Sequence, residues 1–154
     1  MDYHPLSAKQ KGGVGEALLT AHSNRAADVV SDWIRNDLSR RISGELGDIK
    51  VSHDHRVETY YVNHEGTHMS WTPDCLFTAI AARAFGTLRS SNGLRVDYPV
   101  EIKTGDYAAL ERNQRTVMEL VGTNQDIVPV VAKIDIAQLP DEFGVAFSTV
   151  ELTE

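Results

Sequence analysis

Val100-Glu101-Ile102-Lys103, set between Pro99 and Thr104-Gly105, alternates apolar and charged residues. Alternation at a period of two marks a strand with one buried face. Glu101 and Lys103 then project from one face, about 7 Å apart along the chain, while Ile102 turns into the core behind them. A carboxylate and an ammonium side by side on a rigid strand can hold a metal ion and position a water beside it. A solvated strand face would read the same way over so few residues. The surrounding chain decides between the two.

Downstream, Thr104-Gly105-Asp106 ends the strand, with Asp106 as N-cap of a helix expected over 107–121. Tyr107, Leu110, Val117, Met118 and Val121 line one side of it, and Gln114 falls on that apolar stripe where a leucine is expected. A buried glutamine requires partners, so this position is informative. Gly122 is the expected helix stop. A strand is expected over 127–136 with Pro129 near its start, then a turn over 139–144 and a strand or tail over 145–152.

Upstream, Pro73 biases Thr72 towards extended backbone ahead of Asp74. Residues 75–82 are apolar and read equally as buried strand or helix. Residues 83–95 hold Gly86, Asn92-Gly93 and the arginines Arg83, Arg89 and Arg95, and read at least partly as a loop. Segments 49–51 and 57–62 are β-rich. His53, His55, His64 and His68 surround them, spaced so that a hairpin could bring them to zinc, although no cysteine supports it. Apolar residues at three- and four-residue steps predict a long helix over 14–42, with Arg40, Arg41 and Gly44 at its end and Glu16 in its first turn. Residues 1–11 are expected to be a flexible arm and 12–154 one domain, as suits a chain of 154 residues.

Hydrophobic content of 42% and charged content of 24% are ordinary for a soluble protein. No apolar run approaches the ~20 residues of a membrane span, so no membrane partner is expected. Cys75 is the single cysteine, which excludes an intrachain disulfide and points to a cytoplasmic protein. A net charge of −7 argues against nucleic-acid binding through overall charge alone, but leaves room for a basic patch or a divalent metal. It also suits a halophilic host.

The order helix, strands, Pro73-Asp74, a strand bearing Glu101-Ile102-Lys103, helix, strand resembles the PD-(D/E)XK nuclease superfamily, the fold of many restriction endonucleases and archaeal Holliday-junction resolvases. Glu16 matches an acid that many members carry early in the first helix, and Gln114 a glutamine often found on the helix after the E-x-K strand. The resemblance spans residues 12–136. It implies an α/β, restriction-endonuclease-like three-layer fold, a central mixed sheet flanked by helices with an αβββαβ core. It also implies a Mg²⁺- or Mn²⁺-dependent deoxyribonuclease. Asp74, Glu101 and the carbonyl of Ile102 would ligate the metal, Lys103 would stabilise the transition state, and Glu16 and Gln114 would complete the site. Arg112 and Arg115 would contact the nucleic acid. DNA is the implied partner, and a homodimer stays open.

The resemblance makes a demand on register. For Asp74 to lie beside Glu101 or Lys103 on an antiparallel neighbour, paired positions must sum to 175–177, with the turn centred near residue 88. A tight hairpin at Asn92-Gly93 would give 185 and set Asp74 opposite Glu111. The family reading therefore requires a long connection over 83–95. Carboxylates so gathered should raise one another's pKa by like-charge repulsion. Two other readings stay open: a catalytically inactive nuclease-fold protein that binds nucleic acid or scaffolds an assembly, and a small metal-binding module built on the histidines.

Overall fold

The computed structural model describes residues 25–42, 46–54, 56–83, 94–104, 111–135 and 144–150. Helix α1 (Arg25–Arg41) leads into β1 (Leu46–Asp54), β2 (Tyr60–His64), β3 (Thr67–Trp71), β4 (Cys75–Arg83) and β5 (Leu94–Thr104). Helix α2 (Arg112–Val121), β6 (Val130–Asp135) and β7 (Gly144–Thr149) follow. The ambiguous run after Asp74 is thus a strand. The expected helix over 14–42 is described from Arg25 onward, while Glu16 and the N-terminal arm lie outside the described residues.

Five strands form one mixed sheet in the order β1-β4-β5-β6-β7, and β2 and β3 pair separately as a hairpin. Without that hairpin the order is αβββαβ plus a final strand, the α/β architecture expected. Only the β5–β6 pair is parallel. Parallel neighbours need a crossover, and α2 supplies it, which brings this helix over one face of the central strand. Along β5 the residues divide by parity. Val96, Tyr98, Val100 and Ile102 enter a core with Val30, Ile34 and Leu38 of α1. A second core on the opposite face joins Val117, Met118 and Val121 of α2 to Trp71, Val131 and Val150. Glu101 and Lys103, alternating with the first set, lie on the α2 side.

The α1 face is closed by polar contacts as well as packing. Asp37, 2% exposed, accepts from Tyr98 Oη at 3.0 Å, Arg41 Nε at 2.6 Å and Arg40 at 3.2 Å. Burial, with the neighbouring Asp37 carboxylate, holds the Tyr98 hydroxyl well above the ordinary phenol range. Trp33 meets the Tyr98 ring edge-on at 6.3 Å and lies 5.3 Å from Phe147, tying α1 across β5 and β7.

Local punctuation differs from expectation at three points. The second described helix starts at Arg112 with Glu111 as its cap, and Asp106, Tyr107 and Leu110 lie outside the described residues. Gly122 caps this helix at φ −67°, so it is not needed for a left-handed turn, but the space around it is tight. A Cβ there would meet Met118 O at 3.2 Å and both Pro129 Cδ and Val150 O at 3.3 Å. The β6 strand begins at Val130, directly after Pro129, which spares the ladder a missing donor. The β2–β3 turn is Glu65-Gly66, both with positive φ, the two-residue turn that matches strand twist. Among the described residues no helix is long and apolar enough to cross a membrane.

Candidate active site

Strands β4 and β5 pair from Cys75 with Val100 to Ala81 with Leu94, every pair summing to 175. This is the register that sets Asp74 against Glu101, and the tight Asn92-Gly93 hairpin is excluded. The strands end at Arg83 and resume at Leu94, across a long connection. Asp74 lies one residue before β4 and is bound to the central strand twice. Its N–H donates to Val100 O at 2.9 Å, and its Oδ2 accepts the Ile102 N–H at 2.7 Å. Pro73 is buried beside it and has no N–H to satisfy.

Glu101 is 5% exposed. One oxygen, Oε1, accepts from Gln114 Nε2 at 3.0 Å. The partner expected for a glutamine on an apolar stripe is therefore this carboxylate. Gln114 Oε1 in turn accepts the Glu111 N–H at 3.3 Å, so one side chain caps α2 and braces Glu101. The other oxygen, Oε2, is buried without a hydrogen-bond partner among the described residues. So is the indole N–H of Trp71, which favours the ionised form of Glu101 without closing a hydrogen bond to it. Tyr60 stacks on Trp71 at 5.7 Å, and with Val62 and Met69 it packs the hairpin onto α2 beside the site.

The Glu101 carboxyl is pushed up to about 7. Burial is the largest cause, and Asp74 is second, by charge and by a hydrogen bond the two carboxyls can share; Lys103 and Trp71 act the other way. Like-charge repulsion is therefore present but secondary to desolvation. Two ionised carboxylates are both acceptors, so neither can satisfy Oε2 unless a proton is shared. A divalent cation would satisfy it as well. The donors are hard oxygens, which suit Mg²⁺ or Mn²⁺ over softer metals. The site thus fits such an ion on its own chemistry. Among the described residues no group of three or more His, Cys, Asp or Glu converges as a metal cage, and Glu16 lies outside them.

Lys103 is half-buried on the same face, two residues beyond Glu101. Arg112 and Arg115 sit on the first turns of α2, but Arg115 already pairs with Glu119 at 3.2 Å. Arg95 is not a loop residue: it lies on β5 and pairs with Asp97 at 3.4 Å. Arg89 lies outside the described residues. The histidines do not form one cluster among the described residues. His53 sits on β1 with its ring 5.0 Å from Phe77, His64 and His68 flank the hairpin turn in the other sheet, and His55 lies outside the described residues. Trp71 was not singled out from the sequence. The only available signal was an aromatic residue closing a strand two positions before Pro73-Asp74.

No curated protein matches the chain. A solved structure titled "Crystal structure of SSO0001" is 16% identical with a TM-score of 0.29, over 86% of this chain and 55% of that one, so the chain spans about half the length of that structure. The model of a PD-(D/E)XK nuclease superfamily domain matches residues 9–150. With that match over nearly the whole length, the chain belongs to the PD-(D/E)XK nuclease superfamily.

Proposed function

We propose that the protein is a metal-dependent deoxyribonuclease whose site is Asp74, Glu101 and Lys103, with Gln114 as the brace of Glu101. The observation that carries this reading is the buried Glu101 carboxylate, with Oε2 unsatisfied, Asp74 beside it and Lys103 on the same strand face. A carboxylate kept in that state costs free energy and gains most from a cation. Asp74 and Glu101 would hold Mg²⁺ or Mn²⁺, and the carbonyl of Ile102 would offer a third oxygen. When bound, such an ion supplies Lewis acidity, acidifying water and offsetting charge on the scissile phosphate.

The remaining roles fall to side chains. Lys103 orients the attacking water and stabilises the charge that develops on the phosphoryl oxygens. Gln114 keeps Glu101 at one rotamer, so its free oxygen stays aimed at the site. Asp74 is held by the Ile102 N–H through Oδ2, which leaves Oδ1 for the ion. Glu16 is carried over from the family pattern as the third acid. Arg112 is exposed at the start of α2 and would contact phosphate; Arg115 would do so only by leaving Glu119. A bound cation reverses the local sign, so a chain of net charge −7 can approach a polyanion. The buried lone Cys75 suits a cytoplasmic setting.

Plasmid nicking with and without Mg²⁺ or Mn²⁺ tests the reading. Cleavage that requires the ion and disappears in Glu101→Gln supports it. Wild type that binds DNA in Ca²⁺ but cuts no duplex, single-stranded or branched DNA would make the protein a non-catalytic member of the superfamily.

A further inference from the structure

Lys103 has a neighbour of its own kind. Strands β5 and β6 run parallel, and the partner of Lys103 across the ladder is Lys133. Registered partners on adjacent strands share a face about 5 Å apart. Ala132 and Ile134 enter the α1-side core, so Lys133 stands with Val131 on the face that carries Glu101. The chain has only five lysines, and it sets two of them side by side. Lys133 is exposed, and among the described residues neither lysine has an ion-pair partner. Adjacent like charges cost stability in the absence of an anion. Asp74 and Glu101 thus stand at β4 and β5, and Lys103 and Lys133 at β5 and β6. Beyond Lys133, Ala146 and Ser148 of β7 are small and exposed, so among the described residues of that strand no bulky side chain bars the approach.

We propose that Lys133 is a positioning residue that holds the phosphodiester next to the scissile one at Lys103, so that the substrate strand crosses the sheet from β5 towards β7. This rests on the nuclease reading above and adds to it a direction for the substrate. Lys133 touches no reacting atom, so its removal falls on binding and spares the chemical step.

The test compares wild type, Lys133→Ala, Lys133→Arg and Lys103→Ala on a short fluorescein-labelled DNA duplex and its separated strand. Binding is titrated in Ca²⁺ across salt, and cleavage is followed in Mg²⁺. Lys133→Ala should weaken binding about three- to tenfold at low salt and reduce the salt slope by about one unit. It should raise KM with kcat nearly unchanged, whereas Lys103→Ala lowers kcat. Lys133→Arg should restore binding. Thermal melting should show Lys133→Ala at least as stable as wild type, since a repulsion is gone. Unchanged Kd and slope in Lys133→Ala make Lys133 an ordinary surface lysine and overturn the proposal, even if wild type cleaves. A kcat loss matching that of Lys103→Ala also overturns it, by moving Lys133 into the chemistry. Wild type that binds without cutting sinks the nuclease reading alone, because the salt slope still decides Lys133. Wild type that binds neither form overturns both.

Discussion

A buried acid lies on each side of strand β5, Asp37 on α1 and Glu101 on the strand itself, and the two are treated in opposite ways. On the α1 face, Asp37 receives three donors, from Tyr98, Arg40 and Arg41. On the α2 face, Glu101 receives one among the described residues, from Gln114, and faces another carboxylate. Both are almost fully buried, at 2% and 5% exposure. Burial alone therefore does not set the two acids apart; the count of donors does. A satisfied carboxylate has no remaining demand and serves to fix α1 on the sheet. An unsatisfied one costs free energy until a ligand arrives. Glu101 is held by the same backbone that Asp37 helps to anchor, so a satisfied face supports a deprived one.

The largest effect should appear where the deprived face does its work. Lys103→Ala removes charge stabilisation but neither carboxylate, and should lower the cleavage rate by about 10²–10³ with Kd in Ca²⁺ little changed. Melting should change little, because the lost repulsion with Lys133 and the lost attraction to Glu101 oppose each other. If Lys103→Ala cleaves as well as wild type, Lys103 is only a strand-face lysine and the comparison loses its functional half.

Next in size is the satisfied face. Asp37→Ala leaves the Tyr98 hydroxyl buried without its acceptor and removes the carboxylate that Arg40 and Arg41 share on the same helix. The expected cost is about 3 kcal/mol, at the low end for breaking a buried ion pair, because Arg40 already reaches water. Urea denaturation measures it. Activity per folded molecule should persist, which Glu101→Gln will not show.

Glu101→Gln probes the deprived acid without metal. The folded pKa stands at about 7 against an ordinary 4.5, so between these values the folded state holds a proton the unfolded chain has released. Stability is then greatest below the window and falls as pH rises through it. The amide cannot ionise, and its NH₂ can donate towards Asp74. In metal-free buffer Glu101→Gln should be more stable than wild type by about 2 kcal/mol at pH 8 and nearly equal at pH 5. A uniform loss at both pH values would mean that the carboxylate is structural after all.

The sequence showed one of these faces far better than the other. Alternation around Glu101-Ile102-Lys103 and the intrusion of Gln114 on an apolar stripe are local patterns, and both led to the contacts found. The register between Asp74 and Glu101 was legible once a pairing was assumed, because antiparallel partners keep a constant sum. Parallel pairing has no such constraint, since the crossover helix hides the offset, and so Lys103 beside Lys133 was invisible. The Asp37 network was equally hidden. Asp37 and Tyr98 are 61 residues apart in the chain, and nothing local marks Asp37 among the other acids of an amphipathic helix. Arg95 was misread because serine, asparagine and glycine before it suggested a loop that the strand had already left.

The smallest effects come from deleting one donor on each face, and they sharpen the contrast most. Tyr98→Phe removes one of three donors to Asp37 and leaves two arginines in place. It should cost about 1 kcal/mol. The Tyr98 hydroxyl does not titrate near neutrality, because burial and Asp37 hold it neutral, so the cost should be the same at pH 5 and pH 8. Gln114→Leu removes the one donor to Glu101 found among the described residues, and the Glu111 N–H loses its acceptor too. The lost cap and the gained apolar contact act alike at both pH values and cancel in the difference. The lost donor does not cancel. It favoured the ionised carboxylate, so without it the folded pKa of Glu101 climbs further, and the stability lost with rising pH grows. Gln114→Leu should therefore be worse at pH 8 than at pH 5 by about 1 kcal/mol, with Tyr98→Phe flat over the same range. Saturating Mg²⁺ should shrink the Gln114→Leu difference, because the ion replaces the proton as the partner of Glu101. Equal pH dependence in the two variants would show that the acids differ only in address, and that Glu101 is not the deprived group its surroundings make it.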